Sequence, residues 1–269
     1  MRRPRPALAM WALVLAGCTG AQASAGTAPT TPLGRLVDSL APLHDGVMHL
    51  SLLSYPGTQM SSTAGAVGYT VDGPFSEAHA GDRLPLARLV VQREPTGASV
   101  TLVSDGRSAS MTADGRTVQL SRAQQAELTQ DMAGGDLTGL KALGVTDWAR
   151  GPERADTTTS AGTEVDRVET AVDPVAAVNG LEKVVADTGG GSTATISGTA
   201  AAALRREDLG SQLVVEAGHG DHTLRMLDLW LRFGAGAGDQ LSAALGQLAG
   251  LRIHLQMSVA SPNSATMAG

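Results

Sequence analysis

The densest group of chemically active side chains in the sequence is the run His219-Gly220-Asp221-His222. Two imidazoles and a carboxylate within four residues are ligand types that zinc accepts, so a metal site is one interpretation of the run. A tight turn is the other, because Gly and Asp between two apolar segments are typical of a hairpin. The sequence places no further histidine or cysteine cluster beside the run, which favours the turn and predicts no metal.

A glycine-rich segment at residues 234–238 follows an apolar run, as loops that hold phosphate groups often do. It lacks the G-x-G-x-x-G spacing and the acidic residue that a dinucleotide-binding unit needs. The G-x-S-x-G, H-E-x-x-H and S-x-x-K patterns of common hydrolases do not occur in the chain either. We therefore predict no cofactor, no catalytic residue and no enzymatic activity.

The amino terminus carries the most specific pattern in the chain. Three arginines among the first five residues precede an apolar stretch at residues 7–17. This stretch is shorter than the about 20 residues that a membrane-spanning helix needs. The arrangement predicts an export signal over residues 1–17. The stretch ends with Leu15-Ala16-Gly17-Cys18, and Cys18 is the only cysteine.

The run that ends at Cys18 resembles the lipobox of bacterial lipoproteins, in which a diacylglyceryl group alkylates the thiol and cleavage leaves the cysteine first. A single cysteine forms no internal disulfide, so the lipobox gives Cys18 a role that a core position would not. Two acyl chains would hold the protein stably on the extracytoplasmic face of the cell membrane. Ordinary secretion is the alternative, because Ala21-Gln22-Ala23 is an A-x-A cleavage site just downstream.

Composition and charge bound the remaining possibilities. The chain has 269 residues, 42% of them hydrophobic, and a formal charge of −6, which argues for a globular protein and against a nucleic-acid partner. Loss of the three leader arginines changes that charge from −6 to −9, so the lipid and not the protein's charge must provide the membrane attachment. The uncharged residues 18–32 predict a flexible tether, and the small residues 263–269 predict a disordered tail.

Residues 33–262 alternate apolar runs with turn residues and predict one α+β domain. Two Asp-Gly pairs, Asp105-Gly106 and Asp114-Gly115, lie nine residues apart and predict hairpins. Strict alternation at residues 251–259 predicts a strand with one apolar and one polar face. Further strands are expected at residues 47–55, 63–71, 86–93, 98–104, 107–112, 116–120, 164–172, 212–217 and 223–233.

Helices are predicted from apolar spacing and from capping residues. One is expected around residues 36–43, where apolar residues recur at one-turn spacing. Ser121 and Gln124 form a capping box that begins a helix reaching to about residue 132. Asp173-Pro174 supplies the N-cap and first turn of another. Trp148 ends an irregular apolar stretch and is expected in the core, with a ring at the mouth of a cavity as the alternative.

A sheet with one apolar face must be covered, and the predicted helices are the available cover. The sequence therefore predicts a large curved antiparallel sheet, a half-barrel, with short helices on its concave apolar face. Aromatic residues make up only 3% of the chain, so Leu, Val, Ala and Met must build the interior. This composition favours a ligand-filled space slightly over a closed core.

Several short motifs carry a resemblance to a known family. In chain order they are the lipobox, the tether, Gly68-Tyr69-Thr70-Val71-Asp72-Gly73, the two Asp-Gly pairs, Leu143-Gly144-Val145-Thr146-Asp147-Trp148, Asp173-Pro174 and Leu224-Arg225-Met226-Leu227-Asp228. By this order, residues 36–263 resemble the LolA/LppX-like half-barrel lipoproteins of actinobacterial cell envelopes. The chain departs from the family at Thr117-Val118, where such proteins usually carry an aromatic residue. Family members of known role bind acylated lipids in the half-barrel and help to move them across the envelope.

The resemblance implies a membrane-anchored protein that binds an apolar or acylated lipid, as a carrier or a sensor. Burial would drive this binding, because each methylene withdrawn from water contributes about 0.8 kcal/mol. The alternative is a non-catalytic envelope scaffold whose cavity is filled by its own side chains and which meets a protein partner. The candidate lining residues lie on the apolar faces of the predicted strands: Met48, Leu50, Leu52, Val67, Tyr69, Leu89, Val91, Val100, Leu102, Leu227, Leu229, Leu231, Ile253 and Leu255.

Overall fold

The computed structural model describes residues 30–59, 64–76, 84–126, 140–187 and 195–263. The predicted leader, Cys18 and most of the predicted tether lie outside these residues, as does the predicted helix beyond residue 126. None of the described helices is both long enough and apolar enough to cross a membrane.

The described part of the chain forms an antiparallel sheet of eleven strands, and the sheet is not closed into a barrel. The predicted α+β class with a large antiparallel sheet is thereby confirmed. The strands are β1 Asp45–Tyr55, β2 Val67–Ser76, β3 Leu86–Glu94, β4 Ala98–Asp105, β5 Ala109–Ala113, β6 Arg116–Gln119, β7 Ala149–Ser160, β8 Thr163–Val172, β9 Gln212–Gly218, β10 Leu224–Arg232 and β11 Arg252–Ala260.

Two meanders share this sheet. One runs outward from β1 to β6 and the other runs inward from β7 to β11, and β1 pairs with β11 in the middle. Leu52 lies opposite Leu255 in that central pair. The first and last of the described strands therefore join the two halves, and β6 and β7 are the edge strands of the described sheet.

Glycines permit one tight turn of the sheet and the close approach of β2 to its neighbours. Asp114 and Gly115 both adopt a positive φ, as the predicted two-residue hairpin requires. Gly68 and Gly73 bracket most of β2, and a Cβ atom at either would collide with the backbone carbonyl of Leu52 or Arg88. These two glycines let β2 lie close to β1 and β3. The strand predicted at residues 63–71 begins only at Val67 and continues through Pro74 to Ser76.

The described helices are short. They are α1 Pro32–Ser39, α2 Leu140–Leu143, α3 Val145–Trp148, α4 Pro174–Asp187, α5 Gly198–Arg206 and α6 Gly238–Leu245. A helical turn occupies residues 122–126, and 3₁₀ turns occupy Ala235–Ala237 and Gly246–Leu248.

The predicted helix caps are confirmed. Ser121 N donates to Gln124 Oε1 at 2.9 Å, and Gln124 N donates back to Ser121 Oγ at 3.4 Å, which completes the capping box. Val175 N donates to Asp173 Oδ1 at 3.0 Å at the start of α4. The first helix begins earlier than residue 36, because Thr31 accepts from Gly34 N at 3.1 Å and Pro32 fits the first turn.

One hydrophobic cluster joins the sheet to the helices. In β1, Met48, Leu50 and Leu52 are buried in this cluster, whereas Val47 on the other face is 44% exposed. Buried residues of α1, α3, α4, α5 and α6 belong to the same cluster. Trp148 is only 1% exposed and belongs to it too, which confirms the core interpretation of this residue.

The described fold extends to Asn263, the first residue of the predicted tail. Asn263 Oδ1 accepts from His44 N at 2.7 Å, and Asn263 Nδ2 donates to the carbonyl of Pro42 at 3.1 Å. Asn263 N also donates to the carbonyl of Asp45 at 3.0 Å. These three bonds hold the end of the described chain beside the start of β1.

Candidate functional site

The structure brings the predicted lining residues together on one side of six neighbouring strands, from β4 through β1 to β10. Tyr69 and Val100 are half-buried and pack against the hydrophobic cluster, and Val67 is half-buried at the start of β2. The other predicted lining residues are members of the cluster and are less than 9% exposed: Met48, Leu50, Leu52, Leu89, Val91, Leu102, Leu227, Leu229, Leu231, Ile253 and Leu255.

Strand register joins four of these residues and four further apolar residues in one continuous row. Residues directly opposite one another on neighbouring antiparallel strands share a face, with their Cβ atoms about 4.5–5.5 Å apart. The row crosses eight strands, from β4 to β8, in the order Val100, Val91, Val71, Leu50, Met257, Leu227, Val215 and Val168. We call these eight residues the apolar row.

Several short helices contribute residues to the hydrophobic cluster. The central helix α4 contacts α3, α5 and α6, and α1 contacts both β7 and β8. Leu181 of α4 and Leu204 of α5 are buried in the same cluster as the apolar row. A ligand on this side must displace aliphatic side chains of the cluster or move one of these short helices.

The opposite face of the sheet carries two histidine–carboxylate pairs that the sequence did not reveal. His49 Nδ1 lies 2.5 Å from Asp72 Oδ1 on the neighbouring strand. His254 Nε2 lies 3.3 Å from Asp228 Oδ1, and the His254 ring stacks on Trp230 with 3.9 Å between ring centroids. Alternation alone puts His49 and His254 on a polar face, but only the strand register shows which carboxylates they meet.

An open groove of about 460 Å³ surrounds the first of these pairs. Its walls mix polar and aliphatic groups, including Pro74, Arg88, Val90 and Ser258. A histidine held by a carboxylate can keep or pass a proton. Among the described residues, the side-chain partner of the His49 ring is the carboxylate of Asp72.

The run at residues 219–222 forms the turn between β9 and β10, as predicted. His222 N donates to the carbonyl of Gly218 at 2.9 Å, and Asp221 Oδ1 accepts from Thr223 N at 3.0 Å. His219 turns toward β8, where its Nδ1 lies 2.7 Å from Asp166 Oδ1. The hydrogen bond with Asp166 raises the pKa of His219 above 6.5. The part of the chain that the structure describes contains no group of three or more potential metal ligands.

The glycine-rich segment 234–238 lies against a carboxylate of the chain itself. Gly236 N donates to Glu207 Oε2 at 3.2 Å, and a Cβ atom at Gly236 would lie 2.6 Å from Glu207 Oε1. The glycine lets the backbone approach Glu207. This amide therefore binds a protein carboxylate at the position where a phosphate-binding loop would need a free donor.

No protein-family model matches the sequence, and no curated protein matches it.

Proposed function

We propose that this protein is a lipid-anchored, extracytoplasmic lipoprotein that buries an apolar or acylated lipid between its sheet and its helices. In this proposal the sheet is a half-barrel of the LolA/LppX-like type, the helices cover its concave face, and the protein acts as an envelope lipid carrier or sensor. The role is binding without catalysis.

The apolar row is the observation that carries the proposal. It extends across eight strands, and six of its members are buried in the hydrophobic cluster that also contains helix residues, while the other two pack against that cluster. Its members are aliphatic residues and one methionine, whose side chains adapt to an inserted chain more easily than rings do. An extended acyl chain laid along such a row would meet apolar groups over its whole length.

Burial supplies enough free energy for this role. At about 0.8 kcal/mol for each methylene withdrawn from water, one long acyl chain contributes on the order of 10 kcal/mol before the entropy of immobilisation is subtracted. Displacing packed Leu and Val side chains opposes binding, so the net affinity depends on how far the short helices can move. The proposal therefore requires helices held less firmly than the sheet.

Native mass spectrometry tests the lipid-binding proposal directly. We would express residues 26–269, which include every described residue, in bacteria and transfer the purified protein from a volatile buffer. A bound mass that organic extraction releases as a diacyl species is the expected result. A ligand-free mass, even after incubation with envelope lipid extract, would contradict the proposal.

A filled interior supports a second candidate function, an envelope scaffold that binds a protein partner. Most of the predicted lining residues are already buried among their own neighbours, and Leu229 and Leu231 are completely inaccessible. The ligand-free outcome of the mass measurement would favour this role. Partner capture by cross-linking in intact cells would then be the next experiment.

The anchor has a separate test. Cys18→Ala removes the thiol that a diacylglyceryl group would alkylate, so the variant should move from the membrane fraction to the soluble fraction. A Thr19→Ala variant keeps the thiol and should stay at the membrane. Persistence of the Cys18→Ala variant at the membrane after removal of its leader would end the lipoprotein proposal.

A further inference from the structure

Strand β7 offers a pairing edge on the margin of the sheet. It pairs with β8 from Glu153 opposite Thr170 to Ser160 opposite Thr163, and no described strand pairs with its other side. Its residues 154–159 are exposed on both faces of the sheet. An edge strand of this kind presents a row of backbone donors and acceptors that a further strand can use.

A proline and a register shift interrupt β7 only in its first third. The register with β8 shifts between Ala149 and Glu153, and Pro152 lies within that shift. From Glu153 to Ser160 the pairing is regular, without proline, and Thr157, Thr158 and Thr159 are β-branched residues that favour strands. We call these eight residues, 153–160, the pairing edge.

When two copies of this edge pair with each other, one antiparallel register places opposite charges against each other. A twofold axis perpendicular to the sheet places the corresponding faces of the two copies on the same side. Each residue must therefore pair with a residue whose side chain lies on the same face as its own. An axis through Ala155 satisfies this condition and places Arg154 opposite Asp156 of the other copy, twice. Glu153 then lies opposite Thr157, so the regular pairing covers residues 153–157 of each copy and no like charges meet there.

The charged groups in this register are available for contact. The Arg154 side chain is 79% exposed and the Asp156 side chain 45% exposed. Within one chain they are only weakly associated, because Arg154 Nε lies 4.0 Å from Asp156 Oδ2. We propose that the edge of β7 pairs with the same edge of a second copy, in the antiparallel register centred on Ala155, to extend the sheet across a twofold dimer.

Charge reversal tests this register. Arg154→Asp makes both positions acidic and Asp156→Arg makes both basic, so each variant alone should self-associate about tenfold more weakly than the wild type. An equimolar mixture of the two variants restores opposite charges at both contacts and should form a heterodimer. The measurement is sedimentation velocity on the full-length chain in mild detergent, with circular dichroism to verify that each variant is folded.

The mixture distinguishes the dimer from a structural role of either residue. A structural defect would persist on mixing, whereas a contact between copies would be rescued. Recovery of the dimer only in the mixture supports the proposal. A wild-type protein that remains monomeric at every concentration reached, or variants that associate as the wild type does, would overturn it.

A cysteine cross-link tests the same register without altering charge. In a Cys18→Ala background, Ala155→Cys places two thiols opposite each other, with Cβ atoms about 4.5–5.5 Å apart, and mild oxidation should give a disulfide-linked dimer. Thr157→Cys is the matched control, because in this register the two copies of residue 157 lie roughly 13 Å apart along the strands. Cross-linking at 157 but not at 155 would overturn the proposed register.

Discussion

Gly180 of α4 lies directly against the indole ring of Trp148. A Cβ atom at Gly180 would be 2.8 Å from Trp148 Cζ2 and 2.9 Å from Nε1. Glycine in a helix normally costs about 1 kcal/mol relative to alanine, so alanine would be the better residue here if space allowed. The contact with Trp148 explains why a helix in the core keeps a glycine.

We predict that Gly180→Ala lowers the free energy of unfolding by about 1–3 kcal/mol, because the added methyl group forces the indole or α4 to shift. Gly238→Ala is the matched control: Gly238 begins α6, and a Cβ atom there would meet nothing within 4 Å. Urea denaturation of both variants checks the prediction. An equal or greater stability of Gly180→Ala would show that the packing around Trp148 yields easily.

Asp173 is predicted to stabilise α4 as a cap and α5 as an ion-pair partner. Besides capping α4 by accepting from Val175 N, Asp173 accepts through Oδ2 from Arg205 Nη2 at 2.7 Å. Burial alone would raise the pKa of Asp173, but the bonds from Arg205 and Val175 outweigh it and lower the pKa below 3.8. Asp173→Ala should cost about 1 kcal/mol for the lost cap, and Asp173→Asn should cost less because an amide oxygen still accepts.

The acid dependence of this effect follows from the direction of the pKa shift. A carboxyl group whose pKa is lowered by folding contributes stability above its unfolded value of 3.8, and this contribution disappears as the pH falls through the lowered pKa. Urea titrations should therefore show a difference between wild type and Asp173→Asn at neutral pH that shrinks in acid. Arg205→Gln removes the cationic partner and should show the same shrinking difference, with Arg206→Gln, in the same last turn of α5, as its control. A pH-independent difference would contradict the role of the charge.

The His219–Asp166 pair is predicted to titrate as a unit at the exposed end of the second meander. The hydrogen bond and the charge of Asp166 raise the pKa of His219 above 6.5, and His219 in turn lowers the pKa of Asp166 below 3.8. The contribution of His219 is complete below pH 6.5 and is lost as the pH rises through its raised pKa. Asp166 and His219 are therefore both charged between pH 3.8 and pH 6.5.

An NMR titration of the His219 ring checks this pair. Asp166→Asn should move the midpoint back toward 6.5. Thr157→Val removes only the 2.9 Å hydrogen bond from Thr157 to Asp166 and keeps the carboxylate, so the midpoint should remain raised. The pairing would be refuted by an unchanged midpoint in Asp166→Asn.

The interior proposed for the lipid can be probed with one substitution on each face of the sheet. Leu50, in the middle of the apolar row, is 6% exposed, whereas Val103 on the other face of β4 is 39% exposed. Leu50→Trp should reduce the amount of co-purified lipid at an unchanged melting temperature, and Val103→Trp should not. If Leu50→Trp unfolds instead, position 50 is closed core and the scaffold role gains support.

Sequence patterns identified those strands that have one buried face. β10 alternates in exposure along most of its length, and β1 buries Met48, Leu50 and Leu52 on one face. The Asp-Gly turns mark the hairpins that join β4, β5 and β6 near one border of the sheet. β7 was missed for the opposite reason: its residues are exposed on both faces and show no alternation. α5 was missed because its alanine-rich segment offers only Ala201 and Leu204 as buried anchors.

The residues of the apolar face could be predicted from the sequence better than the side-chain pairs of the opposite face. The apolar row follows from period-two patterning, because a wrong register would expose whole sets of Leu and Val. The pairing of His49 with Asp72 depends on the alignment of β1 and β2, which Gly68 and Gly73 make possible by their close approach to neighbouring backbones. A single sequence does not display that alignment.

The central pairing of β1 with β11 also determines when the molecule can be completed. Because β11 is the last of the described strands along the chain, β1 lacks its partner on that side until residues 252–260 have been synthesised. The two meanders cannot pair before β11 is available, so the contact that joins them is a long-range one between β1 and β11. A nascent chain stopped before residue 252 would hold two separate half-sheets, each with an apolar face and an open border.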